Sequence, residues 1–260
     1  MRAKKSYGQH FLTNEAIAEQ IANSLLLNDT YPKVLEVGPG KGMLTKYLLP
    51  QAFELVVVEA DRDMVQYLHQ HFPTLRGQII SEDFLKVDLS LFFGNHPFAI
   101  IGNFPYNISS QILFKMLDYR AQVPELVGMF QKEVAERVVS GPGSKSYGVI
   151  SVLIQAYYEG TLLFEVDKSQ FAPPPKVQSA VIRLTRKANQ QLACNPKSFR
   201  HIVKQAFSQR RKMLRNTMKS FIKGSPLLDD PLFSKRPEQL SVEDFIQLTL
   251  RIDEIRQHDH

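Results

Sequence analysis

Glu36-Val37-Gly38-Pro39-Gly40-Lys41-Gly42 follows an apolar run and precedes a helix-like stretch. Glycines let a backbone turn tightly and approach a ligand with no side chain between them. The dinucleotide fingerprint G-x-G-x-x-G is met at Gly38 and Gly40, but its third position is Met43. No Lys-Ser/Thr pair follows, so this is not a phosphate loop. Glu59 lies 21 residues after Gly38, at the end of a second apolar run. A carboxylate there can accept both ribose hydroxyls and disfavours a 2′-phosphate. Asp83 ends a third run and can accept from an exocyclic adenine amine, with Phe84 beside the ring. Taken singly, the loop reads equally as a tight turn and each acid as a surface residue. Together, three consecutive strand ends suit an adenosine ligand that lacks a pyrophosphate.

Asn103-Phe104-Pro105-Tyr106 ends a fourth run. Asn and Pro also make ordinary turns. Beside an adenosine site the cluster has a chemical use. An adenine N6 amine is a poor nucleophile because its lone pair is delocalised into the ring. Two acceptors aimed at its hydrogens expose the lone pair and stabilise the positive charge that develops on nitrogen. The Asn103 side-chain oxygen and the Phe104 carbonyl can be those acceptors, and Tyr106 can stack on the base. Asn is not a general base, so the proton passes to water. The base itself must leave its helix or come from a single strand.

Groups at successive strand ends need strands that finish along one edge. Val34–Val37, Leu55–Glu59, Gln78–Ser81, Phe98–Gly102 and Leu126–Gln131 read as strands, several of them continuously apolar, the pattern of strands buried on both faces. Helical stretches alternate with them: a helix capped by Thr13 or Asn14 and running to about Leu27, then Met43–Leu49, Arg62–Phe72, Ser109–Tyr119, Lys132–Val139 and Ser151–Glu159. That alternation predicts a mostly parallel, Rossmann-like α/β sheet. Leu162–Val166 and Ala180–Thr185, separated by a proline-rich loop, predict an antiparallel edge. Beyond them only helical patterns continue. Phe199, Ile202, Val203, Ala206 and Phe207 form one stripe after an Asn195-Pro196 start, and Met213–Ile222 and Val242–Ile255 follow. The expected organisation is a catalytic α/β domain over 1–185 and a small all-α domain over 186–260.

Composition is that of a globular chain, with 43% apolar and 22% charged residues. One cysteine, Cys194, leaves no basis for a disulfide framework or a thiolate metal cluster and favours a cytoplasmic setting. Arg2, Lys4 and Lys5 are followed by no apolar stretch, so no signal peptide is expected, and no run reaches a membrane span. His69, His71, His258 and His260 read as surface residues. The net charge of +6 is unevenly spread. Residues 186–224 hold eleven Lys/Arg and no Asp or Glu, leaving the rest at −5. This segment reads either as a solvated helix face or as a nucleic-acid-binding surface, which the absence of acids favours.

The chain resembles the ribosomal RNA adenine dimethyltransferases nearly from end to end. The resemblance is carried by Gly8-Gln9-His10-Phe11-Leu12, the Glu36–Gly40 loop, Asn103–Ser109, Gln131-Lys132-Glu133, Phe171–Val181 and Phe207–Lys212. The Asn103–Ser109 and Phe171–Val181 stretches are the specific ones. With Phe207–Lys212 they are most similar to bacterial members that dimethylate two adjacent adenines near the 3′ end of small-subunit (16S) rRNA. The resemblance implies S-adenosylmethionine as methyl donor, no metal, and a monomer acting on rRNA within a pre-ribosomal 30S particle. It implies cofactor contacts from His10, Leu12, Gly38, Gly40, Glu59, Asp83, Phe84 and Asn103, and catalytic roles for Asn103, Phe104 and Tyr106. It implies that the target base stacks between Tyr106 and Phe171 beside Pro173. The stiff Pro173-Pro174-Pro175 run favours Phe171 as a held platform over a core aromatic. Arg210, Arg211, Lys212 and Arg215 would hold RNA phosphates. Many relatives have Asn at His10 and Leu at Phe104; histidine would make binding pH-sensitive, and Phe104 bears on pocket shape. Alternatives are a large-subunit dimethyltransferase conferring antibiotic resistance, an RNA-binding assembly factor, and, ranked lower, a DNA adenine methyltransferase.

Overall fold

Continuous apolar runs form a sheet covered on both faces. The computed structural model describes residues 10–222 and 225–258. Arg2, Lys4, Lys5, Gly8, Gln9, Lys223 and His260 therefore lie outside the described residues. The strands are β1 (Phe11–Leu12), β2 (Lys33–Val37), β3 (Glu54–Val58), β4 (Ile79–Ile80), β5 (Phe98–Asn103), β6 (Glu125–Gln131), β7 (Tyr158–Val166), β8 (Phe171–Ala172) and β9 (Ser179–Arg186). The helices are α1 (Glu15–Ala22), α2 (Thr45–Leu48), α3 (Arg62–His71), α4 (Ser90–Phe93), α5 (Ser109–Asp118), α6 (Lys132–Val139), α7 (Val149–Gln155), α8 (Pro196–Ala206), α9 (Leu214–Met218) and α10 (Val242–His258).

Seven strands form one sheet in the order β4-β3-β2-β5-β6-β9-β7. β2, β3, β4, β5 and β6 are parallel along their shared edges, and β9 runs antiparallel to β6. The chain builds outward from β2 in one direction and from β5 in the other, so β2 and β5 flank a topological switch point, the usual ligand crevice of such sheets. β1 and β8 pair separately, with Leu12 opposite Phe171.

The chain separates into two compact units, 1–135 with 160–186, and 136–159 with 187–260. The expected catalytic domain spans all of 1–185. Residues 136–159 instead group with the C-terminal helices. The Gly143 amide donates to the Glu238 carbonyl at 2.7 Å, and the Tyr147 ring stands edge-on to Phe207 at 6.2 Å. The helix expected to reach Glu159 stops at Gln155, whose amide donates to the Val138 and Ser140 carbonyls, and β7 begins at Tyr158. In the same unit Asn195 caps α8 by accepting from the Lys197 and Ser198 amides. Phe199, Ile202, Val203 and Ala206 are buried as one stripe. Among the described residues, no helix is long and apolar enough to cross a membrane.

Glu125, fully buried at the start of β6, ties the end of the first helical segment to the sheet. Its carboxylate accepts from the Leu26 and Leu27 amides at 3.0 Å and from the Tyr31 hydroxyl at 2.9 Å. Removing it strands these donors, so Glu125→Ala is expected to destabilise the fold by about 3 kcal/mol in urea unfolding, and Glu125→Gln by less.

Candidate active site

The carboxyl ends of β2, β3, β4 and β5 open into a cavity of about 860 Å³ within the first unit. After β2 the chain turns through Gly38, Gly40 and Gly42, all in the left-handed region, with φ of 68°, 55° and 79°. Gly42 replaces the expected third fingerprint glycine. A Cβ there would lie 2.3 Å from the Phe72 ring, so a side chain would both displace that ring and strain the backbone. Glu59 follows β3 and joins the two strand ends: its carboxylate accepts from the Gly40 amide at 3.1 Å and the Asp61 amide at 2.9 Å. Burial raises the Glu59 carboxyl above its usual range, and these two amides oppose that rise. After β4, Asp83 accepts from the Leu85 amide at 2.9 Å, and Phe84 is buried beside it.

Asn103 ends β5. Its amide nitrogen donates to the His10 carbonyl at 3.1 Å. A carbonyl only accepts, so this contact fixes which end of the amide is nitrogen and leaves Oδ1 as the acceptor. His10 Nδ1 lies 2.9 Å from the Pro173 carbonyl and must carry its proton for the same reason. The His10 ring stacks on Tyr106 at 5.5 Å, and the Tyr106 hydroxyl is hydrogen-bonded to Ser179. The N-terminal segment, the β5 end and the start of β9 thus hold one corner together.

His10, Leu12, Gly38, Gly40, Glu59, Asp83, Phe84, Asn103, Phe104 and Tyr106 all line this cavity. Three of the expected residues are engaged within the fold. Phe171 is 3% exposed and belongs to the core with Leu12, Val166 and Val181, while Ala172 faces the cavity. Neighbouring residues on β8 point to opposite faces, and Phe171 packs beside its β1 partner Leu12, which is itself only 3% exposed. The Phe104 ring does not shape the cavity either. It is 1% exposed and stands edge-on to Phe130 at 5.0 Å, so the residue offers only its backbone. Arg210 is engaged internally: Nε donates to Glu238 at 2.7 Å and the guanidinium reaches the Ser144 carbonyl at 3.2 Å. Arg211, Lys212 and Arg215 are exposed.

Sequence reasoning missed three features. Tyr67 and His71, one helical turn apart on α3, stack at 3.8 Å and line the cavity; the i, i+4 spacing was the available signal. Lys115 on α5 donates to the Phe84 and Val87 carbonyls and lies 5.1 Å over the Phe84 ring, a contact with no local sequence signature. Glu36 is 1% exposed on the cavity wall. Its Oε2 accepts from Thr45 at 2.7 Å, and its Oε1 has no hydrogen-bond partner among the described residues.

The first 248 residues match the ribosomal RNA adenine dimethylase family. The chain belongs to that family. It is 53% identical to ribosomal RNA small subunit methyltransferase A of Flavobacterium johnsoniae, over 97% of each chain. It is 54% identical to the protein of the same name in Parabacteroides distasonis, covering 96% of this dimethylase and 94% of the relative. A crystal structure of a dimethyladenosine transferase from Plasmodium falciparum superposes with a TM-score of 0.79 at 25% identity, covering 95% of this chain and 98% of that one.

Burial pushes the Glu36 carboxyl up to about 8, and the Glu59 carboxylate adds to the rise despite the Thr45 hydrogen bond. The unfolded chain releases this proton near pH 4.5, so between there and about pH 8 the folded dimethylase binds more protons than the unfolded chain. Glu36 therefore favours folding most at low pH, and that contribution is lost as pH rises to about 8. Glu36→Gln should gain on the wild type steadily from pH 5 to pH 8 in urea titrations and no further above it; parallel pH profiles would refute the assignment.

Proposed function

We propose that this dimethylase transfers methyl groups from S-adenosylmethionine to N6 of two adjacent adenines near the 3′ end of small-subunit (16S) rRNA, two methyls to each. The observation that carries the reading is the Asn103 amide, anchored through its nitrogen on His10 with its oxygen left as an acceptor at a switch-point cavity. The small-subunit target is supported by the relatives' names, which speak against the large-subunit alternative.

The residues present fit the methyl donor. A Cβ on Gly40 would stand 3.1 Å from the Phe11 ring, narrowing a cradle that bare backbone leaves open. Glu36 Oε1 is a buried carboxyl oxygen with no hydrogen-bond partner among the described residues, and a ligand ammonium beside it would favour the ionised, accepting form. His10, Leu12, Gly38 and Gly40 would hold the methionine portion, Glu59 the ribose, and Asp83 and Phe84 the adenine. When bound, S-adenosylmethionine supplies an electrophilic methyl group. Asn103 Oδ1 and the Phe104 carbonyl accept the two hydrogens of the target amine, expose its lone pair, and stabilise the charge that forms there. Tyr106 stacks on the base, and water takes the released proton. Pro173 and Phe171 sit behind this face, Pro173 through its carbonyl on His10 and Phe171 from the core. Arg211, Lys212 and Arg215 hold phosphates of the rRNA in a pre-ribosomal 30S particle, and the dimethylase acts as a cytoplasmic monomer.

Labelled donor and unmethylated 30S particles should yield dimethyladenosine at one adenine doublet; label in large-subunit rRNA instead would overturn the reading. Asn103→Ala should lower turnover on the order of 10²- to 10³-fold with particle binding retained, and full activity would remove the acceptor role. Replacing Arg211, Lys212 and Arg215 with Glu should weaken particle binding and flatten its salt dependence while sparing cofactor binding. Arg210→Ala should act on the stability of the C-terminal unit instead.

A further inference from the structure

Gly102 on β5 and Gly128 on β6 face each other across the parallel ladder. The Phe104 ring lies over both. A Cβ on Gly128 would sit 2.0 Å from Phe104 Cε2 and 2.7 Å from Cδ2. A Cβ on Gly102 would sit 2.8 Å from Cε1, on the opposite edge of the same ring, and 2.6 Å from the Val37 carbonyl oxygen. Neither glycine needs the left-handed region, so backbone conformation does not explain them. Space for the ring does. Phe130 closes the seat edge-on, and the Phe104 amide donates to the Met129 carbonyl at 3.2 Å.

We propose that this pair of glycines is the device that sets the catalytic corner, with Gly128 a positioning residue that acts through Phe104. The ring is buried against the sheet, while the same residue borders the cavity and bears the carbonyl assigned to the target amine. Any displacement of the ring is passed through one Cα to that carbonyl and to the neighbouring Asn103 amide. Gly128 does not line the cavity. Its effect therefore falls on the placement of the two acceptors and not on binding. This inference rests on the acceptor reading of Asn103 and Phe104.

The test compares Gly128→Ala, Phe104→Leu and the double variant on 30S particles, with cofactor affinity measured by calorimetry and folding by thermal unfolding. Gly128→Ala should lower kcat on the order of 100-fold, as an ångström-scale misplacement does, while cofactor Kd and particle KM change little. The shorter Leu side chain vacates the space the new methyl needs, so the double variant should turn over faster than Gly128→Ala alone. If Gly128→Ala does not fold, the double variant is compared with Phe104→Leu, and turnover within about threefold supports the seat. The proposal falls if Gly128→Ala is fully active, if Phe104→Leu gives no recovery, or if cofactor affinity falls as far as kcat. Full activity of Asn103→Ala would instead remove the acceptor reading beneath it. Gly128→Ala at wild-type rate beside an inactive Asn103→Ala would remove the seat alone.

Discussion

Parallel alignment of β2 through β6 is the constraint on which the site depends. Parallel strands bring their carboxyl ends to one edge, and a switch in building direction between β2 and β5 opens a crevice there. The glycine turn, Glu59, Asp83 and Asn103 then converge without any loop having to reach far. The register makes the convergence tight: Val37 is opposite Val58, so the next residues, Gly38 and Glu59, start their turns side by side. The Glu59 bond to the Gly40 amide is a consequence of that adjacency. The small β1–β8 pair adds what the main sheet lacks, a wall bearing His10 that grips Asn103 and Tyr106 from the other side.

Such convergence concentrates acidic groups. Glu36, Glu59 and Asp61 are all buried within a few residues of the loop. Each carboxylate disfavours ionisation of its neighbour, with Glu59 acting on Glu36 and Asp61 on Glu59. Backbone amides offset part of this at Glu59, whereas Glu36 has only the Thr45 hydroxyl and stays protonated more readily. The wall therefore offers Asn103 Oδ1 as an acceptor at all pH values and Glu36 Oε1 as one once that carboxyl ionises. That suits a methyl donor carrying positive charge and an amine that becomes positive as it reacts.

What the sequence made legible follows from local physics. Continuous apolar runs are buried-strand signals, and capping residues bond to amides two or three positions away, so Asn14 and Asn195 were readable as helix starts. The strand-end acids and Asn103 were readable because they adjoin such runs. Long-range pairing was not. Phe171 is turned into the core by its register with Leu12, which no composition near the triple proline encodes. Residues 136–159 look like one more helix of the α/β alternation, and only packing by Tyr147 and Gly143 assigns them to the second unit. Gly128 carried only half of its meaning. A glycine inside a strand marks a close approach by something, but its partner, the Phe104 ring, is defined by the β5–β6 register alone.

The basic segment shows the same division between count and context. Because residues 186–224 contain no acid, any ion-pair partner must come from elsewhere, and Arg210 takes Glu238. Arg210 commits Nε to that carboxylate and an Nη2 hydrogen to the Ser144 carbonyl, so its charge is shared with the fold. Arg211, Lys212 and Arg215 are exposed, and no ion pair joins them to the described residues. Their charge is held by water and counterions, and release of such counterions is what binding a polyanion there would gain. A formal count therefore overstates the segment's free charge by the cations the fold itself uses, and Arg211, Lys212 and Arg215 remain available because no ion pair to the described residues has to be broken.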